Sequence, residues 1–224
     1  DAAGPMSNSV ECTAIMDSIM TGGDGSLETP LPLAGLRLAM PVGYMFEDLD
    51  NAVANSFSES IQRLSAAGAI ISEVRLDILE ELRPANNPKS IVAAEAFAVH
   101  RDRLKSDALQ KYDPFVASRI VSGSNILAAD YIDQFTLRRQ TMEIVQKQTQ
   151  FYDALVIPTS PLIPPKIQTL STIETKMKMS GLALRNTALA NFLDRPTISI
   201  PCHKPGSAPV GLSLMGLSAM NASK

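Results

Sequence analysis

The sequence predicts an α/β fold, a mixed and largely parallel sheet covered by helices, and three observations predict it. An apolar run, a helix-periodic segment and a second apolar run follow one another within residues 36–76, the pattern of a strand, helix, strand unit. Two segments of helical spacing fill the middle of the chain. Short apolar runs bounded by proline and glycine then restore strand character beyond residue 150.

Taken in order, the residues justify each element. Residues 9–20 place Val10, Ala14, Ile15 and Ile19 on one helical face behind Ser7 or Ser9 as a cap, and Gly22–Gly23 stop the run. The stretch "TGGDGSLETPLPLAG" concentrates glycine and proline and reads as a surface connection. "LRLAMP" is a buried strand closed by Pro41, and "VGYMFEDLD" is a loop in which Asp48 or Asp50 caps the next helix. Residues 51–67 carry Val53, Phe57, Ile61 and Leu64 at helical spacing and end at Gly68, and "AIISEVRL" is the second strand. Strands joined in this way lie parallel.

Residues 90–104 and 128–152 are helical and are expected to cover the sheet, the second with Ile132, Phe135, Met142 and Val145 facing inward. "DALVIPTSPLIPP" gives a strand at residues 154–157, and Pro158, Pro161, Pro164 and Pro165 then impose a stiff extended loop. Residues 177–193 form a further helix. "TISIP" and "VGLSLMG" are strands on either side of the turn "KPGSAP".

Composition narrows the function classes. The 224 residues, 45% hydrophobic and 19% charged, suit one compact domain over residues 1–224 and not a disordered chain. A net charge of −3 with scattered basic residues offers no stripe for phosphate backbones, so nucleic acid is not expected as a partner. No apolar run reaches the ~18 residues of a membrane span. Two cysteines, Cys12 and Cys202, do not make a secreted disulfide framework and point to the reducing cytosol.

Candidate chemistry is sparse. Of the two histidines, His100 reads as a helix-surface or half-buried residue. Cys202 and His203 are adjacent, and neighbours in a strand point to opposite faces, which is poor geometry for a thiol and its base. No zinc spacing, phosphate-binding glycine loop or G-x-S-x-G elbow occurs, so no metal or cofactor is expected. Glu80–Glu81, and Glu95 with Asp102, read as solvated carboxylates. Ser122 in "VSGSN" and Ser160 in "PTSPL" come nearest to a presented hydroxyl, yet neither has a recognisable lysine partner.

Several stretches, in order, resemble the later half of the amidase signature family. "DAAGPMSNSVECTAIMDSIMTG" is similar to that family's D-x-x-G-P-[ML]-x-x-S-V-x-D segment, and "LRLAMPVGYMFEDLDNAV" to its strand and loop before a helix. "YDPFVASRIVSG" and "AADYIDQFTLRRQ" resemble its central helices, and "YDALVIPTSPLIPP", "NTALANFLDRPTISIPC" and "APVGLSLMG" its last strands. The resemblance implies a partial amidase-signature fold and an enzyme that acts on a small-molecule amide through a serine nucleophile, a second serine in a cis peptide and a lysine base. It places all three upstream of the D-x-x-G-P segment, so no catalytic residue is assigned in this chain. The opening "DAAGPMSNSV" then reads as a junction, and the chain as a carboxyl-side portion, inactive alone.

The same resemblance brings the "PTSP" loop and the "NTALAN" segment to the substrate pocket and makes Thr159, Ser160, Asn186 and Asn191 its candidate lining. Three departures matter. Cys12 stands where the family has aspartate, Asp194–Arg195–Pro196 replaces G-L-P, and Leu184 falls near the aspartate that holds the ammonium group in the glutamine-using branch, which argues against that branch. The competing reading is a self-sufficient, non-catalytic α/β binding or scaffold protein. A carboxyl-side portion exposes strand edges and apolar surface, which predicts self-association or marginal stability. Light scattering and dye binding check this; a cooperatively unfolding monomer without dye binding would count against it.

Overall fold

The computed structural model describes residues 3–27, 29–83 and 89–217. Asp1, the first residue of the inferred junction, and Pro84, beside the Glu80–Glu81 pair, lie outside the described residues. Helices are α1 (Val10–Met20), α2 (Asn51–Ala66), α3 (Ile91–Leu104), α4 (Pro114–Ser122), α5 (Ala128–Thr149) and α6 (Ile173–Leu193). Strands are β1 (Arg37–Val42), β2 (Ile70–Arg75), β3 (Ala154–Pro158), β4 (Thr197–Pro201) and β5 (Gly211–Met215).

The five strands form one sheet in the order β2-β1-β3-β5-β4. Strand β1 is parallel to β2 and to β3, while β5 is antiparallel to both β3 and β4. Four strands therefore run the same way and β5 alone is reversed, the largely parallel sheet that the sequence predicts. Alternation along the strands feeds two cores, one on each face. Ala39, Leu155, Ile157 and Met215 pack with Val145 of α5 and Leu189 and Leu193 of α6. Leu38, Val156 and Leu212 pack on the opposite side with Phe57 of α2.

The element boundaries show where local signals were overridden. Pro41 does not close β1, which runs on to Val42; the β3 ladder reaches only Leu38 and Ala39, so a missing N–H at Pro41 breaks nothing on that edge. Asp50 occupies the cap position of α2 without making the side-chain cap bond. Its carboxylate instead accepts the N–H of Ile163 at 2.8 Å. Helix α6 begins at Ile173, ahead of the expected residue 177, because Thr172 and Thr175 form a reciprocal capping pair.

Helix α3 does not cover the sheet. It has no buried residue, leaves Val92 and Val99 exposed, and packs on α4 and α5. The start of α5 follows it: Ile132 and Phe135, expected to face inward, are 64% and 41% exposed, whereas Met142 packs against the core and Val145 is fully buried. Tyr131 Oη donating to Glu95 at 2.9 Å holds that outer half of α5 to α3, and Lys89, just before α3, pairs with Asp130. Helix α1 likewise has no buried residue, with Val10, Met16, Ile19 and Met20 exposed.

The approach of α3 and the end of α4 depends on Gly123, where a Cβ would overlap the Ala93 carbonyl and lie 2.9 Å from Phe97 Cβ. Because the obstacle is main chain, it cannot rotate away. Gly123→Ala is expected to destabilise the protein by about 1–3 kcal/mol, the usual cost of overpacking. Urea or thermal unfolding followed by far-UV circular dichroism measures it.

Candidate functional site

The carboxyl ends of β1, β2, β3 and β4 lie at the same end of the sheet, since these four strands share a direction. Ligand sites of open α/β sheets form at such ends. Two concavities occur there among the described residues.

The first follows β3 and β4. It is lined by Thr159, Ser160, Leu162, Ser199, His203 and Gly211, among others, and its volume is about 260 Å³. That is below the ~300–1,000 Å³ typical of small-molecule pockets, so these residues make a wall more than an enclosure. Its floor is a chain of hydroxyls. Thr159 Oγ1 lies 2.7 Å from Ser199 Oγ and 2.8 Å from Ser213 Oγ, and Thr159 N–H donates to Gly211 O at 2.9 Å. Gly211 makes room for this cluster: a Cβ there would sit 2.6 Å from Thr159 Oγ1 and 2.7 Å from Ser199 Oγ.

The loop beyond Thr159 is fixed from two directions. Ser160 Oγ accepts the N–H of Leu162 at 3.3 Å, an ST-type turn. The start of α2 holds the far side, with Asp50 N–H donating to Pro161 O at 2.9 Å and the Asp50 carboxylate accepting from Ile163. Stiffness expected from the prolines is thus reinforced by hydrogen bonds to a different element.

Of the four residues expected to line one pocket, the structure brings Thr159 and Ser160 to this wall. Asn186 is 1% exposed and sits beneath it, donating through Nδ2 to Pro158 O at 2.7 Å and Met45 O at 3.1 Å. Asn191 is exposed near the end of α6, and its carbonyl accepts from Arg138 Nη2 at 3.4 Å. Neither asparagine lines the concavity. Sequence reasoning missed Ser199, Ser213 and Gly211, and a signal for two of them existed: Ser199 and Ser213 are the third residues of strands paired in register.

The hydroxyls bond to one another and to main chain, and among the described residues no lysine lines the wall. His203, which does line it, uses Nδ1 on the main chain of Val210, accepting the N–H at 3.2 Å. Cys202 packs with the α2-side core, and burial pushes its thiol up, partly offset by a contact with Ser60. An adjacent thiol with a raised pKa is the opposite of an activated nucleophile.

The second concavity, of about 340 Å³, follows β1 and β2 and is lined by Gly43, Glu47, Arg75, Asp77, Glu80 and Arg83, among others. Arg83 donates to both carboxylate oxygens of Glu47, at 2.7 and 2.5 Å, and also binds Glu80. The guanidinium holds Glu47 below the usual carboxylate range. Glu80, expected to be solvated, is therefore part of a fork, in which one guanidinium serves two carboxylates. Arg83 and Arg185 both stack on the Tyr44 ring, 4.4 and 5.3 Å from its centroid, and burial pushes the Tyr44 hydroxyl up.

Away from these concavities, His100 Nδ1 lies 2.7 Å from Tyr112 Oη, half-buried as expected. The described residues contain no cluster of three potential metal ligands, and no helix long and apolar enough to cross a membrane.

The arrangement is that of an α/β protein whose hydroxyl-lined wall stands at the carboxyl ends of its strands. The amidase family model matches residues 1–222, and the chain belongs to that family, the amidase signature enzymes. It is 26% identical to a 2-amino-5-chloromuconic acid deaminase of Comamonas testosteroni, covering 96% of this chain and 47% of that protein. It is 29% identical to an amidase of Pseudomonas putida, covering 90% of this chain and 46% of that protein. Identity is also 29% to a glutamyl-tRNA(Gln) amidotransferase chain of Sulfurisphaera tokodaii, covering 95% and 51%. Among solved structures, a crystal structure of an amidase superposes with a TM-score of 0.75 at 23% identity, covering 96% of this chain and 49% of that one. A bacterial aryl acylamidase gives 0.70 at 19% identity, covering 95% and 49%. The chain spans about half the length of the curated relatives it matches.

The difference between the two thiols is measurable. Cys12 is exposed, whereas the Cys202 thiol is half-buried and burial pushes its pKa up, so at pH 8 it carries less thiolate than a free cysteine. Iodoacetamide followed by peptide mass spectrometry is expected to label Cys12 first, with Cys202 slower by about tenfold or more.

Proposed function

We propose that residues 1–224 are the carboxyl-side portion of a larger amidase domain that hydrolyses a small-molecule carboxamide through a serine nucleophile, and that this portion supplies scaffold and one wall of the substrate pocket. The observation that carries this reading is the wall itself. In a chain of the amidase family, hydroxyl groups line the carboxyl ends of β3 and β4 with no lysine among them.

Thr159 and Ser160 then act on the substrate by hydrogen bonding. A carboxamide presents one acceptor and two donors, and hydroxyls serve both because each can donate and accept. The nucleophile and its base come from residues that match the family's serine and lysine signature, and the 224 residues alone turn nothing over. Hydrolysis of the amide C–N bond adds water to the carbonyl carbon, leaving a carboxylic acid and releasing ammonia or an amine. Leu184 at the position implied for the ammonium-holding aspartate favours hydrolysis over glutamine-dependent transfer. The unpaired Cys12 and Cys202 support a reducing, cytoplasmic setting, and the exposed apolar residues of α1 support self-association of the chain in isolation.

Two measurements test the proposal. The purified chain, incubated with neutral carboxamides such as acetamide and benzamide, is expected to release no ammonia; release abolished by a serine reagent would overturn the assignment of chemistry elsewhere. In the hydrolase that contains this chain, Thr159→Val or Ser160→Ala is expected to raise KM by about tenfold, the size of one lost substrate hydrogen bond. Unchanged kinetics in both variants would remove these residues from the pocket.

A further inference from the structure

We propose that Asn186 is a positioning residue, which sets the Thr159–Ser160 wall by holding the carbonyl of Pro158 against the loop that follows β1. The inference rests on the reading of that wall as part of a substrate pocket.

The geometry is specific to an asparagine. Its Nδ2 carries two hydrogens, and both are used, one on Pro158 O at 2.7 Å and one on Met45 O at 3.1 Å. Its Oδ1 accepts from Arg185 Nε at 3.1 Å. One nitrogen thus joins two carbonyls from segments 113 residues apart, Met45 after β1 and Pro158 at the end of β3. A carboxylate of the same size could accept from Arg185 but could donate to neither carbonyl.

Arg185 extends the clamp. Its Nη2 donates to Met45 O at 3.2 Å and to Glu47 O at 2.7 Å, and at 8% exposure it spends its buried charge on neutral carbonyls, the Asn186 amide and the Tyr44 ring. Two consecutive side chains of α6 therefore fix the main chain at Met45, Glu47 and Pro158. The opposite side of the wall is held separately, by Gly211, Ser199, Ser213 and Asp50. Without Asn186 the wall keeps those anchors and loses the one directly preceding Thr159. Its own burial keeps Asn186 from substrate, so its influence on a bound amide passes through Thr159 and Ser160.

Hydrogen exchange in this chain is the first test. Asn186→Asp keeps the side-chain volume and removes both donations; should it fail to fold, Asn186→Ala is measured instead. Amide exchange of residues 159–163 is expected to accelerate about tenfold, as for a lost buried hydrogen bond, while exchange in β1 and β2 stays unchanged. Unchanged exchange at 159–163, or equal acceleration across the sheet, would overturn the proposal, and this result does not depend on whether the protein is a hydrolase. The second test is a double-mutant cycle on kcat/KM in the enzyme containing this chain, pairing Asn186→Asp with Thr159→Val. A combined loss smaller than the product of the single losses is expected, since both variants disable the same wall. Multiplicative losses would show that Asn186 acts through stability alone.

Discussion

Strand β3 is buried from Leu155 to Pro158, and its two edges face neighbours of opposite direction, β1 parallel and β5 antiparallel. Everything near the site depends on that strand being held from both sides and both faces. Val156 turns toward α2 while Leu155 and Ile157 turn toward α5 and α6, so a shift of one residue would exchange the two cores. The register also fixes chemistry: with Pro158 opposite Leu212, Thr159 follows opposite Gly211, and its hydroxyl reaches both Ser199 and Ser213. Packing decides the register, and the register assembles the polar wall.

Helix α6 serves packing and polarity at once. Leu189 and Leu193 close one core, while Arg185 and Asn186 on the same helix carry their polar groups into the interior. Burial lowers the pKa of Arg185 and of Arg195, which donates to Gln146 and Thr149 of α5. These side chains meet neutral acceptors where ion pairs would be the commoner solution for buried charge. Asp194, at the helix end, takes the left-handed conformation with φ of +54°, a backbone state that favours glycine.

How legible was this in the sequence? The strand, helix, strand unit was, because apolar runs and a 3.6-residue period bracketed by Gly68 leave little alternative. The outer helices were less so: α3 scatters apolar and charged residues around its circumference, and an amphipathic reading of α5 could not foresee that its first half packs on α3 instead of the sheet. At the site, Thr159 and Ser160 stand out through the resemblance of the "PTSP" segment to the amidase signature family, while proline alone marks their loop only as stiff. The string "NTALAN" does not itself say which asparagine faces inward: five residues set the two about 140° apart on the helix, one sealed in the interior and one on the surface. Nor could Asp50 be read as a loop anchor, because a cap position looks the same whichever partner its carboxylate takes.

The loop from Thr159 to Ile163 bears on how a ligand would be met. Its main chain is fixed at Thr159, Pro161 and Ile163 by residues of β5 and α2, and proline restricts its torsions further. The conformational entropy of this surface is therefore spent during folding and not at the encounter with a ligand. Such a surface meets a ligand by shape, with little capacity to adapt, so altering what it accommodates would require changing the loop's anchors as well as its hydroxyls.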